Sequence, residues 1–149
     1  MKKETDPRMH SAEHVLNQTM VRLFDCGRSF SAHIEKKKSK CDYHFDRPLT
    51  EAEIAHIEKQ VNEVIRADLP VTEQYMNREE SADHFDLHRL PEDLGDPIRI
   101  VRVGDYDACP CIGTHVKSTK EIGKFRIGSA SFENGVLRIR FKLGKAPPP

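Results

Sequence analysis

The chain has 149 residues, of which 37% are hydrophobic and 32% are charged. That length supports one well-buried core, so we predict a single domain over residues 1–149. No apolar run approaches the roughly 18 residues that span a bilayer, and the first ten residues lack the apolar segment of a secretory signal. Four unevenly spaced cysteines argue against a secreted disulfide framework, so we expect a cytoplasmic protein.

Charge is unevenly distributed along a chain whose formal net charge is zero. Residues 98–149 carry ten Lys or Arg against four Asp or Glu, a net of +6, whereas residues 1–97 carry fourteen against twenty, a net of −6. A basic C-terminal part suits a polyanionic partner, although neutral proteins also segregate charge by chance. Charge alone is therefore a weak indication of nucleic-acid binding.

The first elements in the chain are a predicted helix and a pair of strands. Asp6 followed by Pro7 is a typical helix start, and the helix should run to about Phe24 before Gly27. Its predicted apolar stripe is Val15, Leu16, Met20, Leu23 and Phe24. The stretch "RSFSAHIEKKKSKCDYHF" then predicts two strands of alternating residues, joined by a turn at "EKKKSK".

A second, more regular helix follows. Thr50 and Glu53 form a capping box, and apolar residues repeat at helical spacing until Pro70 closes the segment. After it, "VTEQYM" predicts a short strand, and the polar residues 79–97 predict a turn of helix and a loop.

The last third of the chain predicts strands. These are "IRIVRV" and a hairpin that turns on Asn134-Gly135, a strong type I′ signal. Residues 145–149, which include "APPP", are predicted to be a disordered tail. The order of elements favours an α+β fold, with a mainly antiparallel sheet packed against helices.

His10 and His14 lie four residues apart in the first predicted helix, with Glu13 between them. Residues at this interval share a helix face, with Cβ atoms about 5–6 Å apart, so both imidazoles can point at one position. The pattern also fits H-x-x-E-H, an inverted zinc-protease motif in which Glu13 would be the general base. A protease would need a distant carboxylate ligand and a large cleft, and nothing in the chain indicates either.

A second pair, Cys111 and His115, repeats the same interval in "CPCIGTHV". Zinc in proteins takes four tetrahedral N, S or O donors, and a thiolate among imidazoles favours zinc over magnesium or calcium. Pro110 and Gly113 constrain the backbone and Thr114 can hydrogen-bond locally, which suits a tight ligand loop. The predicted zinc ligands are His10, His14, Cys111 and His115.

Cys109 is an alternative to Cys111, because either sulfur of C-P-C can reach a metal. The spacing to His115 favours Cys111, and Cys109 is then predicted to lie at a strand end. Cys26 and Cys41 are predicted to be buried apolar residues.

The two ligand segments also carry a family resemblance. "HSAEHVLNQ", followed about 95 residues later by "CIGTHVKSTKEIGKFRI", resembles the editing domain of alanyl-tRNA synthetases and its free-standing AlaX relatives. The editing domain of threonyl-tRNA synthetases has the same H-x-x-x-H and C-x-x-x-H arrangement. "CDYHFDRPLTEAEI" resembles the strand and capped helix of this family, so the likeness covers about residues 6–142.

The resemblance implies a two-layer α/β sandwich that hydrolyses the ester bond of a wrongly charged aminoacyl-tRNA. Because the chain begins almost directly at H-x-x-x-H, it is similar to the short form that acts in trans. Zinc can lower the pKa of a bound water, polarise the ester carbonyl, or hold the substrate, and the sequence does not separate these roles. Glu13 and Thr114 are the candidate catalytic residues. The implied partner is the acceptor end of tRNA carrying an amino acid, with neither membrane nor DNA involved.

The amino-acid pocket departs from the family pattern. Alanyl-tRNA synthetase editing domains usually carry a "Q-K-G-S"-like stretch after the first helix, whereas "GRSFSAHI" stands here, and Ile112 replaces the usual glycine after the ligand cysteine. Candidate substrate-binding residues are Ser29, Ser31, Ile112 and Gly113. Apolar pockets discriminate a methylene only modestly, so Ser-tRNA(Ala) is the first predicted substrate and Gly-tRNA(Ala) the second.

Two basic segments are candidate contacts for the tRNA backbone, where binding would be salt-dependent. They contain Lys36, Lys37, Lys38 and Lys40 in the predicted turn, and Lys117, Lys120, Lys124 and Arg126 after the ligand loop. The alternative is that these are ordinary solvated side chains. A second function also stays open: a non-catalytic module that binds tRNA or a synthetase and keeps zinc for structure.

Overall fold

The computed structural model describes residues 6–85 and 97–145. In chain order the elements are α1 (Pro7–Phe24), β1 (Ser31–Ile34), β2 (Ser39–His44), α2 (Glu51–Arg66), β3 (Val71–Met76), α3 (Arg78–His84), β4 (Ile98–Val103), β5 (Asp107–Pro110), a 3-10 turn (Thr119–Ile122), β6 (Phe125–Glu133) and β7 (Val136–Leu143). The predicted α+β class, with antiparallel strands packed on helices, is confirmed.

The strands form two antiparallel sheets where the sequence predicted one. The larger sheet has the order β1-β2-β7-β6, and the smaller has the order β3-β4-β5. Strand β5 was not predicted, because it is four residues long, ends in proline and begins with a polar Asp107. It exists because a turn at Gly104, whose φ is +49°, returns the chain antiparallel to β4.

Helix α1 begins and ends where the sequence predicts. The Asp6 carboxylate accepts from the backbone N–H groups of Arg8 and Met9, with Pro7 as the first helical residue. The helix packs against α2, β1, β5 and the 3-10 turn, so its buried residues extend around most of its circumference. The predicted stripe divides into fully buried Val15, Leu16 and Met20 and partly buried Leu23 and Phe24. None of the described helices combines the length and apolarity that would cross a bilayer.

The predicted turns are also found, with one change of boundary. Asn134 and Gly135 have φ values of +51° and +78°, which confirms the type I′ hairpin between β6 and β7. The turn between β1 and β2 is shorter than predicted, because Ser39 Oγ accepts from the Glu35 N–H and donates to the Glu35 carbonyl. Because of these two hydrogen bonds, Ser39 and Lys40 belong to β2 and not to the turn.

Residues predicted as a turn of helix and a loop are described only in part. Helix α3 starts one residue before that stretch, at Arg78, and is capped by Asn77, while residues 86–96 lie outside the described residues. The predicted tail lies outside them too, except for Lys145. Of the cysteines predicted to be buried, Cys41 is fully buried and Cys26 is partly buried.

Asn62 joins α2 to the larger sheet. Its amide nitrogen donates to the carbonyls of Phe125 and Glu58, and its amide oxygen accepts from the Phe125 N–H. We expect Asn62→Ala to lower the free energy of unfolding by about 2–4 kcal/mol, because two backbone groups of Phe125 lose their buried partner. Urea titration measures this, with the exposed Glu63→Ala as the control. A loss below 1 kcal/mol would show that water replaces the amide.

Asp42 and Arg138 pair on the outer face of the larger sheet. The guanidinium donates at 2.8 and 2.9 Å to the two carboxylate oxygens and holds the pKa of Asp42 below its usual 3.8. A carboxyl group whose pKa is lower in the folded state than in the unfolded state stabilises the fold at pH values above its unfolded-state pKa. This stabilisation is lost as the pH falls through the folded-state pKa.

We therefore expect Asp42→Asn to have a lower Tm than the wild type at pH 7, with the gap narrowing below about pH 4. Thermal melts of both proteins in chelator, from pH 7 to pH 2.5, measure the gap. A gap that is constant with pH would contradict the assignment.

Candidate metal centre

Four side chains from two distant segments meet at one end of α1. His10 and His14 lie on successive turns of the helix, while Cys111 and His115 come from the loop that follows β5. One ligand atom from each lies within 4.8 Å of the others. The Cys111 Sγ is 3.4 Å from both His10 Nε2 and His115 Nε2. Tetrahedral zinc at its usual bond lengths would separate S and N by about 3.6 Å, so this donor set fits zinc.

The Nδ1 atom of each histidine faces an oxygen atom outside the cluster. His10 Nδ1 lies 3.2 Å from the Thr114 carbonyl oxygen, to which it can only donate. His115 Nδ1 lies 3.0 Å from Ser11 Oγ, which also accepts from the Val116 N–H. His14 Nδ1 lies 3.6 Å from Asp107 Oδ2. Each of these oxygens can accept a proton from Nδ1, and in that tautomer the three Nε2 lone pairs would be left for a metal.

Asp107 is the buried centre of a polar network behind His14. Arg28 donates to its two carboxylate oxygens at 2.6 and 3.3 Å, and Gln18 donates at 2.9 Å. Burial alone would raise the pKa of Asp107, but His14 and Arg28 lower it below the usual range. His14 Nδ1 is buried without a hydrogen bond of normal length among the described residues, and Asp107 is its acidic neighbour. A carboxylate behind a metal-binding imidazole is a recurrent arrangement.

Mutual interactions set the protonation states of the cluster. Burial opposes a charged Cys111, but hydrogen bonds from His10, His115 and His14 outweigh it and lower the pKa of the thiol to about 3. Burial lowers the pKa of His115 to about 4. For His14 burial acts in the same direction, yet Asp107 and Cys111 overcome it and raise the pKa to about 9. Cys111 is therefore in the thiolate form that binds metal ions, and His14 would release a proton on binding a metal.

The ligand loop is folded tightly against α1. A Cβ atom added at Gly113 would overlap the His10 ring, so only glycine fits there without displacing the histidine. The Gly113 N–H donates to Cys111 Sγ at 3.4 Å. Arg99, on β4, donates to the carbonyls of Cys111 and Gly113 at 3.1 and 2.6 Å. Gly113, predicted to bind substrate, thus has a clear steric role beside the cluster.

The alternative cysteine is less suited to the cluster. Cys109 lies within β5 and its sulfur is 3.3 Å from the Pro110 carbonyl. Burial raises the pKa of its thiol to about 11, in contrast to Cys111. The cysteine in the group of four side chains that could hold a metal ion is Cys111.

The two predicted catalytic residues lie beside the cluster. Glu13 is 5% exposed, and its Oε1 is 3.7 Å from His10 Nε2. Thr114 is exposed, and its backbone carbonyl accepts from His10. Their participation in catalysis stays a prediction.

The predicted pocket residues have diverse surroundings. Ser29 is buried and its hydroxyl donates to the Ser31 carbonyl at 2.7 Å, while Ser31 is exposed in β1. Ile112 is 58% exposed, so it does not line an enclosed cavity. Their contact with substrate stays a prediction. The same holds for the predicted tRNA contacts Lys36, Lys37, Lys38, Lys117, Lys120 and Lys124, all of which are exposed.

Three residues that support the cluster were not predicted: Asp107, Ser11 and Arg99. Ser11 directly follows the predicted ligand His10 in the sequence, so its hydroxyl could have been considered as a hydrogen-bond partner for another ligand. The other two carry no signal in the sequence, because only the packing of β5 against α1 and the pairing of β4 with β5 bring them to the ligands.

Known proteins match this chain in sequence. Residues 98–140 match the family model described as "Threonyl and Alanyl tRNA synthetase second additional domain". The alanine–tRNA ligase of Idiomarina loihiensis is 33% identical over 147 residues, covering 97% of this chain and 17% of the ligase. The chain is homologous to a segment of alanyl-tRNA synthetases. Its predicted resemblance to their editing-domain family is thereby confirmed.

Other relatives agree with this alanyl-tRNA synthetase homology. The alanine–tRNA ligase of Methanopyrus kandleri is 34% identical over 143 residues, which is 93% of this chain and 16% of the ligase. That of Treponema denticola is 34% identical over 136 residues, or 90% of this chain and 23% of the ligase. The chain thus spans less than a quarter of each of these relatives.

Proposed function

We propose that the chain hydrolyses the ester bond of mischarged aminoacyl-tRNA in a zinc-dependent reaction. The convergence of His10, His14, Cys111 and His115 at one point, in a chain homologous to alanine–tRNA ligases, is the observation that carries this proposal. Ser-tRNA(Ala) is the first substrate and Gly-tRNA(Ala) the second. The relatives are much longer, so their ligase activity is not part of the proposal.

The donor set supports zinc as the metal. It combines one thiolate with three imidazoles, and the hydrogen bonds at Nδ1 direct the other ring nitrogens to one position. When bound, zinc would supply Lewis acidity toward an ester carbonyl or a water molecule. Four protein donors fill a tetrahedral set, so catalysis needs an additional position or the release of one donor.

Exposure indicates where a substrate can approach. His14 is 3% exposed and closes the inner side of the cluster, whereas His10, Cys111 and His115 are partly exposed. The Glu13 carboxylate lies on the His10 side, at 3.7 Å from its Nε2. We assign Glu13 the task of orienting a water molecule and accepting its proton as it attacks the ester. An aminoacyl ester is already activated, so the site must lower the barrier to its hydrolysis far less than peptide hydrolysis would require.

The partner in this proposal is the acceptor end of tRNA. Exposed lysines after the ligand loop and in the β1–β2 turn would contact phosphates, which predicts salt-dependent binding. We place the activity in the cytoplasm, where aminoacyl-tRNA is made and used.

The test is serine release from Ser-tRNA(Ala), charged in a separate reaction so that action in trans is measured. Protein is kept at catalytic concentration, and correctly charged Ala-tRNA(Ala) is the control substrate. We expect multiple turnovers, with kcat/KM lowered by more than about 100-fold in His10→Ala/His14→Ala. The exposed His56→Ala is the matched control. Circular dichroism checks that each variant is folded.

If the protein releases no amino acid from serine, glycine or threonine esters of tRNA, the deacylase proposal is overturned. A variant that loses zinc and unfolds would instead support the non-catalytic module that keeps zinc for structure and binds tRNA or a synthetase.

A further inference from the structure

The outer face of the larger sheet carries no covering element among the described residues. On β2 and β7 the core side is fully buried at Cys41, Ile139 and Phe141. Residues that alternate with them point away from the core, and Arg140 and Lys142 are exposed. This face is separate in the fold from the metal cluster, which lies between α1 and the loop after β5.

Strand register concentrates positive charge on this face. Lys40 of β2 is directly opposite Arg140 of β7, and Lys142 of β7 is directly opposite Arg126 of β6. We call these four residues the basic strip. Like charges directly opposite each other destabilise a sheet, and here two such pairs are adjacent along β7.

Asp42 offsets only part of this charge. It is on the same face, its two oxygens accept from Arg138 at 2.8 and 2.9 Å, and Lys40 and Arg140 also lower its pKa. The four cations of the strip, together with Arg138, outnumber this carboxylate, so the strip keeps a net positive charge that favours an external anion.

A concave region lies at one end of the strip. Its volume is about 260 Å³, and it is lined by His33, Lys38, Lys40 and Arg140, together with Glu35 and Ser39. His33 is opposite Lys40 in the register, so three strands contribute polar side chains to it. The three cations Lys38, Lys40 and Arg140 outnumber the one carboxylate, Glu35, around this concavity. Arg and Lys are the usual partners of phosphate, so the lining suits a phosphate group.

We propose that the basic strip is a docking surface for the phosphodiester backbone of tRNA, with one phosphate seated in the concavity. The docking surface rests on the proposed function, in which tRNA is the partner. The sequence pointed to Lys40 and Arg126 only as members of two separate lysine-rich segments, whereas the fold joins them through Arg140 and Lys142. The surface holds the body of the RNA while the metal cluster acts on the ester.

The test compares Arg140→Gln/Lys142→Gln with the control Lys59→Gln/Arg66→Gln, which removes the same charge from exposed positions on α2. Binding of uncharged tRNA is measured by fluorescence anisotropy between 50 and 200 mM salt. We expect the strip variant to bind at least about 10-fold more weakly, with a salt slope shallower by about 1.4–1.8, and the control to match the wild type. Circular dichroism checks that the strip variant is folded.

Unchanged tRNA affinity in the strip variant, or an equal loss in the control, would overturn the proposal. Uncharged tRNA makes this result independent of catalysis. Hydrolysis of a seryl ester of adenosine, which lacks an RNA body, should be the same in the strip variant and the wild type. If the strip variant loses tRNA affinity but no ester is hydrolysed by either protein, the docking surface stands and the deacylase proposal fails.

Discussion

Gly113→Ala is expected to lower the zinc affinity of the chain by more than about 100-fold, beyond the upper range for loss of an outer-shell partner. The added Cβ would overlap the His10 ring, so either His10 leaves its position or the ligand loop moves away from α1. Both outcomes separate donors that now lie within 4.8 Å of one another. Competition with a chromogenic chelator measures the affinity. Unfolding of the metal-free variant should show a loss of about 1–3 kcal/mol from overpacking.

Gly27→Ala is the matched control, because a Cβ there meets no atom within 4 Å. It should keep both its zinc affinity and its stability. A Gly113→Ala protein that binds zinc as tightly as the wild type would show that the loop can move without separating the ligands, and the predicted tight loop would be wrong.

Asp107→Asn is expected to lower zinc affinity by about 10- to 100-fold, the usual effect of changing a partner behind a metal-binding imidazole. The amide keeps the size of the carboxylate but loses the charge that faces His14 Nδ1 and pairs with Arg28. His14 would then be less firmly held in the tautomer that presents Nε2, and Arg28 would be left partly uncompensated. Isothermal titration with zinc in a competing buffer provides the measurement.

Asp105→Asn is the control for this change, because Asp105 is exposed in the turn just before β5. A second variant, Gln18→Met, removes one hydrogen bond to Asp107 and should have a smaller effect on zinc affinity. Equal affinities in Asp107→Asn and Asp105→Asn would show that His14 is oriented by packing alone.

The sequence predicted most helices and strands because their signals are local. The Asp6-Pro7 start, the Thr50–Glu53 capping box and the Asn134-Gly135 turn each depend on residues close together in the chain, and each is found. The four clustered side chains were also predictable, since two pairs at a four-residue interval indicate a shared point. Their part in metal binding stays a prediction until a metal is measured.

What escaped prediction depends on contacts between distant segments. Asp107 reaches His14 only because β5 packs against α1, and β5 itself depends on pairing with β4. The division of the strands into two sheets likewise follows from tertiary pairing. The basic strip depends on the register of β2, β7 and β6, which no single segment specifies.

The histidine anchors have a consequence for folding. His10 of the helix donates to the Thr114 carbonyl of the loop, and His115 of the loop is anchored by Ser11 of the helix. Each segment therefore orients a ligand that belongs to the other. Metal affinity and closure of the loop on the helix are then one cooperative equilibrium. If zinc binds as proposed, local opening of the loop would release it, so the measured zinc affinity would depend on how stably the loop packs against the helix.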